Sequence, residues 1–155
     1  MPYLEPEHVL HQFASYLNDD VRSAIADDQK FVQAQVGSMS SSLNFLAMEL
    51  GGMHVAMKTQ RRRLLCAFDD IESELGDGDA AVAVADAIDT ARAELEQTDM
   101  TDVRALETEL TNAANTVFEA INTELDEKAA RRARRPLYDF LDTRVQTQLD
   151  LLGRE

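Results

Sequence analysis

A chain of 155 residues is the size of one domain and is long enough to bury a core. Its 29 Asp and Glu against 15 Lys and Arg give a net charge of −14, which argues against a nucleic-acid partner, because phosphate contact needs a positive surface. No apolar run approaches bilayer length, "MPYLEPEHVL" lacks the basic and apolar regions of a secretory leader, and the single Cys66 excludes an internal disulfide, so a cytoplasmic location away from membranes is expected.

Six glycines, three prolines and no strand-length alternation of apolar and polar residues predict an all-α chain. The first helix starts at "LEPEH": Leu4 can staple it, Pro6 suits a first turn, and Glu5 and Glu7 favour the positive end of the dipole. Leu10, Phe13, Leu17, Val21 and Ala24 are its expected inward set, and it should end near Ala26, with Asp27 or Asp28 capping the next helix. In that second helix Val32, Val36, Met39, Leu43, Leu46, Leu50, Met53 and Met57 step alternately by four and three. After a phase shift near Arg61 the steps continue through Leu64, Phe68, Ile71 and Leu75. Such a 3.5-residue period is a heptad seam. Gly51 and Gly52 sit inside it and could mark a kink. The seam keeps phase across them, which favours one continuous helix over about 28–75, spanning about 70 Å.

"LGDGDAA" predicts a turn, with Gly76 ending one helix and Asp79 capping the next. The third helix should run to about Glu96 with Ala81, Val84, Ile88, Ala91 and Leu95 inward. Thr101 is the expected cap of a fourth, carrying Val103, Leu106, Leu110, Ala113, Val117, Ile121 and Leu125. Pro136 should separate it from a last helix with Leu137, Leu141, Val145, Leu149 and Leu152 inward. The expected fold is therefore an antiparallel helical bundle of four to five helices, one domain over 1–155, built on one long central helix. Shorter helices cannot cover so long a seam unless two stack along it. Otherwise part of it overhangs, and a second copy of the chain would cover it as an isologous homodimer.

Chemical motifs are sparse. Glu5-x-x-His8 with His11 has the spacing of carboxylate-bridged metal bundles, but no second copy exists, and surface histidines are the expectation. "GDGDAA" lacks the late carboxylate of a calcium loop. Cys66 follows three arginines but has no histidine at a spacing that argues for a base, so a reduced structural cysteine is expected. The serines at 38 and 40–42 suit close helix approach, and Met39, Met48, Met53 and Met57 suit either a core or a partner-facing groove. Nucleotide-binding and hydrolase signatures are missing, so neither catalysis nor a cofactor is expected.

Charge is segregated along the chain. Lys58, Arg61, Arg62 and Arg63 form one basic cluster, and residues 128–135 carry five cations, among them Arg131, Arg132, Arg134 and Arg135. Residues 69–109 hold fourteen acids and two bases. Either the arginines pair with this acidic block and with Glu124, Asp126 and Glu127, or they form a site for an anionic ligand or an acidic partner.

The stretches "VLHQFASYLNDDVRSAI", "FVQAQVGSMSSSLNFLAMELGGM" and "LYDFLDTRVQTQLDLL" resemble an uncharacterised family of small helical proteins. Its members are encoded beside, or fused to, aminoglycoside-phosphotransferase-like kinases and acyl-CoA dehydrogenases. The likeness leaves residues 76–125 unmatched and brings no catalytic residues. It implies an accessory role, with a small-molecule kinase or other enzyme as a possible partner. The composition, rich in Asp and poor in Lys, resembles that of extreme-halophile proteins, in which acidity serves solvation.

Overall fold

The computed structural model describes residues 5–151, and every element within them is helical. Helix α1 spans Pro6–Tyr16, a π-helical turn spans Leu17–Val21, and α2 spans Arg22–Ala24. Helix α3 spans Lys30–Glu74, α4 Asp79–Gln97, α5 Val103–Glu124 and α6 Glu127–Leu151. None of these helices is long and apolar enough to cross a membrane. The expected staple Leu4 and the inward Leu152 lie outside the described residues.

The chain divides into two compact units, residues 5–53 with 150–151 and residues 54–149. The second is an up-down bundle of four helices: the C-terminal part of α3, then α4, α5 and α6. Its core is the predicted one for the most part: Met57, Leu64, Phe68 and Ile71 from α3, and Val84, Ile88, Ala91 and Leu95 from α4. Helix α5 adds Leu106, Leu110, Val117 and Ile121; α6 adds Leu137 and, in place of Leu141 and Val145, which were expected inward but are 42% and 55% exposed, Phe140. Adjacent helices are tied by polar contacts. Arg92 on α4 donates to both carboxylate oxygens of Glu72 on α3, at 3.0 and 2.8 Å, and also reaches Asp69. The hydrogen bond to Glu72 is the largest of the effects that raise the Arg92 pKa. Between α5 and α6, Arg144 donates to Thr111 at 2.8 Å and pairs with Glu107 at 3.6 Å, and Tyr138 meets Phe118 edge to face. Arg92→Ala would strand two carboxylates on α3. It is expected to cost about 1–2 kcal/mol, a fall in Tm of about 2–6 °C that shrinks as salt rises. Thermal melts at two ionic strengths check it.

The first unit is thinner. Ser40 Oγ on α3 donates to the Ala14 carbonyl at 2.8 Å, His11 Nδ1 donates to Asn44 Oδ1 at 2.9 Å, and Gln33 Nε2 donates to the Ile25 carbonyl at 3.0 Å. The partners fall in number on one side as they rise on the other, so α1 and α3 run antiparallel as a hairpin. Close approach comes from small residues: Ala14, Ser40 and Ala47 are the buried side chains here.

Helix α3 continues through Gly51 and Gly52 without a break. A methyl group on Gly51 would lie 3.3 Å from Glu7 Cγ, the arm of a half-buried but flexible side chain, whereas one on Gly52 would run into Leu151 Cδ2. Gly51→Ala is therefore expected to stabilise the fold by about 0.5–1 kcal/mol through helix propensity. Gly52→Ala should gain less or nothing, because Leu151 must move first. Paired denaturant melts of the two variants test the contrast.

Several boundaries differ from expectation. Pro136 lies inside α6 rather than between helices. The break falls at Leu125–Asp126, where Asp126 Oδ1 accepts from the Lys128 and Ala129 N–H groups and so starts a new helix. Asp102, not Thr101, caps α5 by accepting from Ala105 N at 3.0 Å. Thr101 instead donates to Asp99 through its N–H and its hydroxyl, and these bonds hold the Asp99 carboxyl below its ordinary range. Gly78, with φ of +129°, occupies the cap position of α4 that Asp79 was expected to fill. No L side chain adopts that backbone readily, so the turn needs glycine there. Asp27 and Asp28 lie in the turn before α3, and Gln29 supplies the carbonyl that accepts from Gln33 N.

Candidate functional site

The hairpin of the first unit leaves much of its apolar set open. Val32, Met39, Leu46 and Leu50 on α3 are 40–55% exposed, and Phe13 on α1 is 57% exposed. The seam predicted for α3 thus exists, but residues 32–50 of it lack the cover that Met57, Leu64, Phe68 and Ile71 have. Phe13 and Ala24, expected inward, are exposed; the π turn resets the phase after Tyr16, and Ala14 takes the contact position.

These five share a flank, whereas the exposed Tyr16, Phe31 and Phe45 lie elsewhere on the hairpin. At about 100° per residue, Val32, Met39, Leu46 and Leu50 lie about 80–120° around α3 from Ser40 and Ala47, the positions facing α1. Phe13 lies about 100° around α1 from Ala14, displaced in the same sense along its own chain. Because the two helices are antiparallel, both displacements turn toward the same side. The half-buried Leu10, Leu17, Val36 and Leu43 fill the space between. The opposite flank is polar, an open groove of about 750 Å³ lined by Ser15, Asn18, Arg22, Gly37, Ser38 and Ser41. The hairpin is therefore amphipathic as a two-helix layer.

The arginine clusters are mostly not where pairing with the acidic block would put them. Arg134 pairs with Glu127 at 3.3 Å, but Lys58, Arg61, Arg62, Arg63, Arg131, Arg132 and Arg135 make no ion pair among the described residues. The acidic block is served by Arg92, which meets Asp69, Glu72 and Asp89, and by Arg144, which meets Glu107. Parts of the two clusters do approach each other. Arg63 lines a groove between α3 and α6, Arg132 and Arg135 line the next, and both grooves share Asp70 and Pro136. Each also holds carboxylates: Asp139 and Asp142 in the first, Glu74 in the second. A compact anion would meet more negative than positive charge in the first groove and equal charge in the second.

The remaining candidates are placed as follows. Glu5 precedes α1, His8 accepts from Gln12 at 3.5 Å, and His11 is engaged by Asn44. Among the described residues no three His, Cys, Asp or Glu side chains gather in a metal-holding arrangement. Cys66 is exposed at the rim of the Arg63 groove, so it is not a core residue. Met39 is exposed, Met48 and Met53 are half-buried and Met57 is buried, so the methionines divide between core and open surface.

Sequence reasoning missed Gln60, which is fully buried in the bundle core. Among the described residues neither its Oε1 nor its Nε2 has a hydrogen-bond partner, and the neighbouring Arg61 Nε is likewise buried and unpartnered. Compared with protein-family models, with curated proteins and with solved structures, the chain matches none.

Proposed function

We propose that this chain is a non-catalytic helical protein of the cytoplasm that works by protein–protein association, as a homodimer joined through the apolar flank of its α1–α3 hairpin. One observation carries this: the heptad residues Val32, Met39, Leu46 and Leu50, with Phe13, stand open to solvent on one side of a two-helix layer. An amphipathic layer of two helices is half of a four-helix bundle, and a second copy placed across a two-fold axis supplies the other half.

A copy of the same chain fits this flank for a further reason. The chain carries a charge of −14, so two molecules repel over most of their surface, but this stripe bears no charge. A standard interface covers about 800 Å² on each partner. Five large apolar side chains left about half open, with four half-buried ones between them, supply area of that order. The alternative is an accessory module that binds an anionic ligand or an enzyme partner, such as the small-molecule kinase the family resemblance implies, through the two arginine clusters.

Light scattering on the full chain at micromolar concentration in molar salt tests the proposal. Molar salt suits a protein whose acidity resembles that of halophile proteins, and it screens the repulsion. Twice the chain mass of 17.3 kDa is expected. A monomer under these conditions overturns the homodimer and leaves the flank to a different protein.

A further inference from the structure

The N-terminal part of α6 carries a second surface, of opposite character. Lys128, Arg131, Arg132 and Arg135 follow the spacing i, i+3, i+4, i+7, which puts them on one helix face. All four are exposed, and none makes an ion pair among the described residues. Residues 128–138 contain no acid. The positive end of the α6 dipole adds to this field, though Asp126 occupies the first free N–H groups. In a chain with 29 acids, four unpaired cations gathered on one helix face call for a partner.

We propose that the outer face of α6 from Lys128 to Arg135 is a docking face for an acidic polypeptide segment whose carboxylates recur at helical spacing. The shape of the surface selects this occupant. The four cations are spread over about 10 Å of helix, with Arg132 and Arg135 at the edge of the α3 groove, so a small anion cannot span them, whereas carboxylates spaced along a segment can meet all four. Three of the four are Arg, whose planar fork pairs with carboxylates bidentately. Asp70 and Glu74 in the flanking groove, with Asp139 a turn further along α6, repel a compact multiply charged phosphate. They repel singly charged, spaced carboxylates less, and a cation on the partner can answer them. The net charge of −14 works against polyphosphate and nucleic acid at longer range.

The test uses the full chain at low ionic strength and a fluorescein-labelled Glu/Ala helical peptide with carboxylates at i, i+3, i+4 and i+7, followed by anisotropy. The wild type should bind, and Arg132→Gln/Arg135→Gln should bind about tenfold more weakly. Lys58→Gln/Arg62→Gln, which removes the same charge from exposed positions on α3, should change affinity by less than about twofold. Circular dichroism and light scattering confirm that both variants keep their fold and mass, which separates this surface from the hairpin flank. The proposal fails if the wild type does not bind the peptide. It fails if the two double variants lose affinity equally, since net charge alone would then explain binding. It also fails if tripolyphosphate or duplex DNA binds α6 more tightly than the peptide does.

Discussion

Leu46→Glu is expected to turn the proposed homodimer into a monomer. Leu46 sits on the open apolar stripe and is 45% exposed in the single chain, so a carboxylate there reaches water and leaves the hairpin intact. In the dimer it would be buried against apolar side chains, and the two-fold axis places it there twice. An unpaired buried charge costs several kcal/mol, so association should weaken by at least about a thousandfold. The measurement is light scattering across a concentration series, with circular dichroism to show that helix content is unchanged. Phe45→Glu is the control. Phe45 is 43% exposed, nearly the same as Leu46, but it lies about 100° further around α3, off the stripe. That variant should remain dimeric. If both variants dissociate, added charge is acting generally; if neither does, the stripe is not the interface.

The seam illustrates how much of the fold the sequence made legible. Alternating steps of four and three identify a helix that buries one stripe, and α3 runs through the two glycines as that regularity predicts. The same spacing is required whether the cover comes from helices of the same chain or from another molecule. Covered Met57 and Leu64 and open Met39 and Leu46 are therefore indistinguishable until their neighbours are placed. The error at Pro136 has a different origin. Proline is a strong helix breaker in an exposed interior, but one lost backbone bond can be offset by packing, and the flanking Ala133, Leu137 and Phe140 are buried. Asp126, two residues before Lys128, carried the true signal as a capping residue.

Charge counting had a similar limit. It located the basic clusters and the acidic block, but pairing depends on which helices face each other. Arg92, one of two arginines within the acidic block itself, reaches Asp69 and Glu72 because α4 folds back on α3. Lys58 and Arg62 share the face of α3 that carries Asp69, but they precede it by about 10 Å or more along the helix and make no ion pair among the described residues, and counting charges along the chain could not separate these cases.

Gln60→Met is expected to raise the stability of the chain. Gln60 is completely buried in the four-helix core, and its amide has up to four hydrogen bonds to make, none of which is met among the described residues. Burying such a group costs about 1–3 kcal/mol, and methionine has nearly the same length and flexibility without the polar atoms. The expected gain is about 1–3 kcal/mol, or about 3–9 °C in Tm for a chain of this size. Gln60→Ala separates packing from polarity. It removes the same amide but leaves a cavity, so it should lose much of the gain or fall below the wild type. A polar residue within a helical core can also fix the pairing of helices at a cost in stability. In that case Gln60→Met melts at a higher temperature but less cooperatively, with a smaller m-value in denaturant, because alternative packings become accessible. A sharp transition at the higher Tm would mean that the apolar contacts of Leu64, Phe68, Val84 and Leu110 specify the bundle without help from the amide.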